Sequence, residues 1–306
     1  MSANRKGIPG EILLLLAAVI WGGAFVAQSL GSDSVEPFTF NCMRSLVGAL
    51  TLVPVFRCND RRTGVSPPRG KARSELWVAG LLCGVFLAAA INLQQIGISF
   101  ADANQANDKA NVGKVGFLTA LYIVMVPVYG LYLGRRVGAR VWVSVCIALA
   151  GMYLLCVKEG FSIGAGDVSV ILCAVMFSMQ ILVVDAYAPR VDCVRLSCLQ
   201  FLVCAVLSGV CMVVWERPSL SAVLSAWAPI LYTGVMSSGA AYTLQILGQK
   251  KCPSAVASLI MSLESVFSAL FGYLLLGQTM TARELVGCAL MLVAVVLSQL
   301  PGRRGG

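Results

Sequence analysis

The sequence contains no histidine and little charge: charged residues make up 12% of its 306 positions, and only 14 of them are acidic. Without histidine, imidazole-based metal binding and proton transfer have no candidate side chain. Twelve cysteines are present, but they form no C-x-x-C pair and most lie within apolar runs. This pattern indicates neither a zinc site nor a disulfide framework. We interpret the cysteines as small apolar packing residues, and we expect no metal or other cofactor.

Hydrophobic residues, by contrast, make up 58% of the chain, and the mean hydropathy is +0.84. A soluble protein of this length does not have enough polar surface to cover so much apolar side chain. The apolar residues occur in runs of about twenty, the length that crosses a bilayer, separated by short polar breaks. The composition therefore predicts an all-α polytopic membrane protein with no room for a soluble domain.

Ten transmembrane helices, called spans 1 to 10 below, are predicted. In chain order they are Glu11–Gln28, Pro37–Phe56, Leu76–Ser99, Gly113–Leu133, Val141–Val157, Asp167–Ala186, Val194–Trp215, Ala226–Gly248, Ser254–Leu276 and Ala282–Leu300. Pro127 predicts a kink in span 4. The basic start of the chain is also compatible with a cleaved signal peptide, but span 1 is long for one and is repeated later.

Lysine and arginine placement predicts the orientation. Most of the 23 basic residues fall on one side of the predicted spans, including those of the loop Arg57–Glu75. Because cytoplasmic loops carry the excess of lysine and arginine, both termini are predicted to be cytoplasmic. The basic charge is distributed over turns and forms no groove, so the sequence predicts no nucleic-acid partner.

The two halves of the chain repeat each other. Pro37–Leu50 aligns with Cys193–Val206 at an offset of 156, and Gln94 aligns with Gln245 at 151. Gly134 aligns with Gly277 at an offset of 143. Each repeat consists of five helices, residues 11–157 and residues 167–300. Because five is an odd number of membrane crossings, the second repeat is inverted in the membrane relative to the first. Inverted repeats are typical of secondary transporters, which bind substrate near the midplane between the halves.

Four segments have a distinctive sequence: IWGGAFVAQ in span 1, PFTFNCMRSLVGAL in span 2, GKVGFLTALYIVMVPVYGLYLG in span 4 and SLIMSLESVFSALFGYLLLG in span 9. Together they resemble the EamA family of the drug/metabolite transporter superfamily. The resemblance implies ten helices in two inverted repeats, a bacterial cytoplasmic membrane location, and export of small metabolites such as amino acids or drug-like compounds.

Two departures from the family pattern stand out. The family often has Gly-Glu where spans 4 and 9 end, whereas this chain has Gly134-Arg135 and Gly277-Gln278. The first half also carries about eight extra residues, which we assign to the stretch Asp102–Asn111 and interpret as a solvated outer loop.

Polar residues inside the apolar spans are the candidates for a substrate pathway, because polar groups facing lipid are costly. One face of span 2 carries Asn41, Arg44, Gly48 and Thr51, and Ser197, Gln200 and Cys204 stand at the matching positions of span 7. Arg44 is the leading candidate, since a guanidinium can bind a substrate carboxylate through two parallel hydrogen bonds. The alternative is a structural role at helix ends or backbone carbonyls.

Glu264, in span 9, could couple transport to protons, or it could be a paired carboxylate that holds helices together. The remaining candidates for the substrate cavity are amides and aromatic rings in spans 1, 3, 4 and 8: Trp21, Asn92, Gln94, Gln95, Tyr122, Tyr242 and Gln245. Each also has a structural interpretation. The amides can serve as interhelical hydrogen bonds and the rings as apolar packing. Gly80-x-x-x-Gly84 and Gly130-x-x-x-Gly134 are predicted to let helices approach closely.

These observations favour a secondary transporter whose partners are a small-molecule substrate and membrane lipid. Transport of a lipid or lipid-linked sugar is an alternative, as is a membrane scaffold that transports nothing. A membrane enzyme needs a metal cluster, a Ser/Lys dyad or a carboxylate pair at depth, and the sequence provides no evident set. We therefore expect the protein not to be an enzyme.

Overall fold

The computed structural model describes residues 8–32, 34–64, 67–103, 110–157, 164–277 and 279–300. Within these ranges the chain forms helices and no β-strand. The helices are α1 Gly10–Ser32, α2 Pro37–Thr63, α3 Gly70–Ala103, α4 Ala110–Thr119, α5 Tyr122–Tyr132, α6 Ala139–Cys156, α7 Ala165–Tyr187, α8 Cys193–Trp215, α9 Leu220–Ser225, α10 Trp227–Tyr232, the π-helix Thr233–Ala241, α11 Tyr242–Gln249, α12 Ser254–Met261, α13 Glu264–Leu276 and α14 Ala282–Gln299.

Nine helical segments of the described chain are long and apolar enough to cross a membrane, one fewer than the ten spans predicted. The difference arises at span 8, which is divided into α10, the π-helix and α11. The π-helix Thr233–Ala241 is rich in small residues and packs closely on α2. A Cβ added to Gly234 would come within 2.6 Å of the Val47 side chain, and one on Gly48 within 2.6 Å of Ser238. Such widened turns are rare and frequently occur at functional sites.

The surface of the bundle is apolar, as expected of a protein whose solvent is lipid. Leu50, Val213 and Leu274 are 60%, 74% and 61% exposed, and many other large hydrophobic side chains share this surface. Polar side chains are instead concentrated inside, where Asn41, Gln200 and many others are fully buried. This inversion of the soluble pattern confirms a multi-pass membrane protein.

Two spans are broken near their middle. Span 4 consists of α4 and α5 with a break at Ala120–Leu121, and span 9 consists of α12 and α13 with a break at Ser262–Leu263. At both breaks a backbone hydrogen bond spans three residues, and not the four of an α-helix. Leu121 N–H donates to the carbonyl of Leu118 at 3.3 Å, and Leu263 N–H donates to the carbonyl of Ile260 at 3.2 Å. Pro127 lies inside α5, so the interruption of span 4 comes before the proline and not at it.

The predicted loop Arg57–Glu75 is largely helical, which corrects the boundary of span 2. Helix α2 continues to Thr63 and α3 begins at Gly70. The sequence prediction ended span 2 where the charges begin, but a helix can extend beyond the hydrocarbon region into water. Gly64 ends α2 with a φ of 65°, a left-handed conformation that favours glycine.

The two Gly-x-x-x-Gly motifs have different roles. A Cβ on Gly80 would lie 2.7 Å from Leu199 Cβ, and one on Gly84 would lie 2.5 Å from Val203 Cβ, so these glycines do bring α3 and α8 together. The prediction for Gly130 and Gly134 is wrong, because a Cβ added to either would meet no atom of another helix within 4 Å among the described residues. Gly134 instead has a φ of 75° just beyond α5, and its repeat partner Gly277 ends α13 with a φ of 63°.

The most extensive packing joins helices from different halves of the chain: α2 with α8, α3 with α7, and α6 with α14. The helix boundaries follow the offsets found in the sequence. Helices α6 and α14 are both 18 residues long and begin 143 residues apart, and α2 and α8 begin 156 residues apart.

All twelve cysteines are free, and several donate to carbonyls of neighbouring helices, such as Cys204 to Gly84 at 3.5 Å. Most of the extra stretch Asp102–Asn111, and Gln278, lie outside the described residues.

Candidate functional site

A cavity lies inside the bundle, between elements of both halves of the chain. Helices α1, α2, α3, α5, α7, α11, α12 and α13 contribute to its wall, together with the π-helix. Seven of the residues predicted from the sequence line it: Trp21, Arg44, Gln94, Tyr122, Tyr242, Gln245 and Glu264. The other four, Asn41, Asn92, Gln95 and Gln200, are buried but are not among the residues that line it.

Arg44 contributes a cation to this wall. Only 4% of the residue is exposed, and its Nε donates to Asn41 Oδ1 at 2.7 Å. Its guanidinium also lies 5.8 Å from the centre of the Phe40 ring, a cation–π contact. Among the described residues, no carboxylate forms an ion pair with Arg44. A buried cation without a counter-ion is costly, so this one is available to an anionic group that enters the cavity.

Asn41 and Asn92 hold Arg44 in place from behind. Asn41 Nδ2 donates to Asn92 Oδ1 at 2.9 Å and to the carbonyl of Ile91 at 3.0 Å, which turns its oxygen toward the arginine. Asn92 Nδ2 in turn donates to Ala88 O and Ser208 Oγ, each at 2.8 Å. This network joins α2, α3 and α8, so these two amides position the arginine and bind the helices together.

Glu264 contributes a buried carboxyl group. It is the first residue of α13, immediately after the break in span 9, and only 7% of it is exposed. Tyr122, the first residue of α5 after the break in span 4, donates its hydroxyl to Glu264 Oε1 at 3.3 Å. The two broken spans therefore meet at the cavity wall.

Aromatic rings form a further part of the wall. Trp21 and Tyr242 make an edge-to-face contact with ring centres 4.8 Å apart, and Tyr242 makes another with Phe201 at 5.0 Å. Trp21 Nε1 is buried and has no hydrogen-bond partner in the described chain. An indole N–H without a partner is a donor that a bound molecule can use.

Four glutamines form a chain of side-chain hydrogen bonds beside the cavity. Gln245 Nε2 donates to Gln180 Oε1 at 3.1 Å and to Gln249 Oε1 at 2.9 Å. Gln180 Nε2 continues to Gln200 Oε1 at 3.3 Å, and Gln249 Nε2 ends the chain at the carbonyl of Ile181, at 3.1 Å. The Gln245 Oε1 and Gln200 Nε2 atoms remain without partners.

The polar face predicted on span 2 does not line the cavity as a whole. Gly48 lies against the π-helix, and Thr51 donates to its own helix at Val47 O. Gln95 donates to Ser32 Oγ at 2.6 Å, which places it among the interhelical contacts. Sequence reasoning missed Gln28 and Gln180 in the wall, although an isolated amide in an apolar run was a usable signal. It also missed Ala24, Phe25, Phe177, Ile181, Ser237 and Met261, which look like ordinary packing residues in the sequence.

Polar contacts join the two halves at one end of the bundle. Arg135 forms an ion pair with Asp185 and donates to Ser254 Oγ at 3.2 Å. A second cavity, lined by Arg135, Asp185, Ser254 and neighbouring residues, lies there. Arg195 and Asp60 form another ion pair, which joins the start of α8 to the last turns of α2. Arg135, which departs from the Gly-Glu pattern, thus has a partner in the other half.

A carboxylate ties the halves together at the N-terminus of α2. Glu216, just after α8, accepts hydrogen bonds from Phe38 N, Thr39 N and Thr39 Oγ1, each at 2.7 Å. A carboxylate from a distant part of the chain therefore satisfies the free N–H groups at the start of α2.

Comparison with known proteins places this architecture among transporters. The chain matches the EamA-like transporter family over residues 8–157 and 164–300. An uncharacterized transporter of Archaeoglobus fulgidus is 27% identical over 296 residues, which are 96% of this chain and 87% of the relative. The uncharacterized transporter YwfM of Bacillus subtilis is 24% identical over 310 residues, covering 98% of this chain and 97% of the relative.

A solved crystal structure has the same fold. It superposes with a TM-score of 0.77 at 20% sequence identity, over 95% of this chain and 98% of that one. The family match covers both halves of the chain, and the curated relatives span nearly its whole length. This chain belongs to the EamA-like transporter family.

Proposed function

We propose that this protein is a secondary-active carrier that exports small carboxylate-bearing metabolites, such as amino acids, across the cell membrane by alternating access. The observation that carries the proposal is Arg44, a buried guanidinium that faces the cavity without an acidic partner in the described chain. A substrate carboxylate would neutralise this charge and accept hydrogen bonds from its two terminal nitrogens. The resemblance to metabolite exporters supports the outward direction.

Alternating access is supported by signs of a two-fold repeat in the fold. Gly134 and Gly277 end α5 and α13 in the same left-handed conformation, 143 residues apart. The breaks in spans 4 and 9 fall within one residue of the same offset, and both border the cavity. If α10, the π-helix and α11 are taken together as one span, the chain has ten spans in two inverted five-helix repeats. Such repeats can exchange conformations around a site at their interface.

The polar contacts between the halves at one end of the bundle are consistent with closure of that end in one state of such a cycle. The lysine and arginine distribution assigns this end, with Arg135 and Arg195, to the cytoplasm. In that orientation both termini are cytoplasmic. The ion pairs to Asp185 and Asp60 must then break before the cavity can open to the cytoplasm.

The test is counterflow of labelled amino acids into liposomes containing the purified protein, with and without an imposed pH gradient. We expect counterflow of at least one carboxylate-bearing compound. We expect Arg44→Gln to lower its rate at least tenfold, because the charge and the paired donors are lost. Arg44→Lys keeps the charge but loses the bidentate geometry, so an intermediate rate is expected. Arg217→Gln, an exposed arginine beyond α8, is the matched control and should transport normally.

Full counterflow by folded Arg44→Gln and Arg44→Lys proteins would contradict the substrate role of Arg44. Absence of counterflow over the whole panel, from folded wild-type protein, would contradict the metabolite proposal itself. Measurement of a fluorescent lipid moving between leaflets in the same liposomes would then test the lipid alternative.

A further inference from the structure

We infer that the cavity also contains a site for a free amine, formed by Glu264 and Gln245, so that the preferred substrate is a zwitterion. This inference rests on the proposed function, which supplies only the anionic end of the substrate. Glu264 and Arg44, an acidic and a basic side chain, line the same cavity. Neither has an ion-pair partner among the residues that the structure describes. Each is therefore free to pair with an opposite charge on a bound molecule.

The carboxylate of Glu264 has little support from the protein itself. Its hydrogen bond from Tyr122 is long, 3.3 Å, and 93% of the residue is buried from solvent. A buried carboxylate is stable only when other groups pair with it and donate hydrogen bonds to it. A primary ammonium supplies both a positive charge and three N–H donors. An ammonium group in the cavity would thus satisfy the remaining capacity of Glu264.

Gln245 provides a second acceptor with a defined orientation. Its nitrogen faces two oxygens, Gln180 Oε1 and Gln249 Oε1, whose own amide nitrogens donate elsewhere. Reversing the Gln245 amide would place oxygen against oxygen, so its Oε1 must be the free atom. That oxygen is buried and has no partner. Two residues of the cavity wall therefore carry unused acceptors, the Gln245 amide and the Glu264 carboxyl group.

Both acceptors lie toward the same end of the bundle. Trp21 on α1 contacts Tyr242 on α11, and the next residue, Gly22, contacts Phe267 on α13. Tyr242 and Phe267 therefore lie at about the same height along the bundle axis as Trp21, which is called the Trp21 level below. Farther along α11, Gly248 packs against Gly10 at the start of α1, so Gln245 lies on the Gly10 side of that level. Helix α13 runs in the same direction as α1, since Phe267 lies near Gly22 and Phe271 lies near Gly23. Glu264 precedes Phe267 by about one turn and is therefore nearer the Gly10 end. It therefore lies on the same side.

Arg44 approaches the cavity from the opposite direction. Its carbonyl lies against Gly234, which precedes Tyr242 by eight residues and so lies on the other side of the Trp21 level. Helix α2 runs beside the π-helix in the same direction, and Arg44 Nε donates to Asn41, one turn nearer the start of α2. The guanidinium therefore lies away from the Trp21 level, and the positive and negative groups of the wall are separated along the bundle axis. A molecule with a carboxylate and a free amine matches this arrangement, with the carboxylate at Arg44 and the amine at Glu264.

The test compares matched compounds that differ only in the amine. L-leucine and 4-methylpentanoate form one pair, and L-phenylalanine and 3-phenylpropanoate form another. Counterflow is measured in liposomes, and thermal stabilisation of the purified protein by each compound is measured in parallel. We expect the amine compound of an accepted pair to be favoured at least tenfold by wild-type protein. In Glu264→Gln this preference should fall close to one, because the counter-charge is lost. Glu75→Gln, the same change away from the cavity, should keep the preference.

The outcomes separate this inference from the proposed function. Equal transport of both members of a pair by wild-type protein overturns the amine site and leaves the carboxylate carrier intact. A folded Glu264→Gln protein that keeps the preference also overturns the role of Glu264. If neither member of any pair is transported or stabilises the protein, the carboxylate carrier fails and the amine site fails with it. The wild-type comparison decides the question even if Glu264→Gln does not fold.

Discussion

At the scale of single residues, the position of the Arg44 guanidinium depends on Asn41. Asn41→Ala removes the oxygen that accepts from Arg44 Nε at 2.7 Å, and also the two bonds from Asn41 Nδ2. We expect the free energy of unfolding to fall by about 1–3 kcal/mol, since buried partners lose their hydrogen bonds. We also expect KM to rise several-fold at similar kcat, because the guanidinium is no longer held in place. Thermal unfolding and counterflow kinetics measure the two effects.

Asn92→Ala is the control for this prediction. It breaks the same network between α2, α3 and α8 but leaves the contact between Arg44 and Asn41. We expect a similar loss of stability with a smaller change in KM. If both variants raise KM equally, Asn41 acts on the helices as a whole and not on the arginine.

At the scale of helices, Glu216 stabilises the first turn of α2. It accepts three hydrogen bonds at 2.7 Å from the first turn of a helix that lies 177 residues away in sequence. Glu216→Gln removes the charge and one acceptor oxygen. We expect a loss of about 1–3 kcal/mol, because hydrogen bonds to charged groups are the stronger ones. The measurement is thermal unfolding in one detergent.

A second glutamate provides the comparison for Glu216. Glu284 caps its own helix α14 by accepting from Thr281 N at 2.6 Å, in an exposed position. Glu284→Gln should destabilise the protein less, by up to about 1 kcal/mol, because water replaces the lost contacts. An equal loss from both substitutions would show that the contact between the halves contributes nothing beyond local capping.

At the scale of the whole molecule, the ion pair Arg135–Asp185 keeps the two halves in contact at one end of the bundle. Asp185→Asn leaves Arg135 without its counter-ion, so we expect this end to open more often. Hydrogen–deuterium exchange should then rise around residues 182–190 and 250–256, which flank the second cavity. The double exchange of Arg135→Asp with Asp185→Arg should restore slow exchange. Unchanged exchange in Asp185→Asn would mean that the pair does not limit opening.

How far the sequence predicts the site depends on whether the signal is local. Arg44 and Glu264 were visible because a charge within an apolar run is conspicuous wherever it lies. The spacing placed Asn41 and Arg44 on one face of span 2, and they are in contact there. Nothing in the sequence indicated the contact of Tyr122 with Glu264, which depends on how distant helices pack. Phe25, Phe177 and Met261 gave no signal at all, because an apolar cavity wall and an apolar core have the same composition.

The sequence by itself determined that this is a multi-pass helical membrane protein of the EamA-like transporter family. Apolar runs of bilayer length suffice for this, since each helix satisfies its own backbone and partitions into lipid independently. Only the tertiary structure decided that Arg44 and Glu264 share one cavity, that span 8 contains a π-helix, and that Arg135 pairs with Asp185. These features depend on contacts between helices far apart in the chain, and hydropathy carries no information about which helices meet.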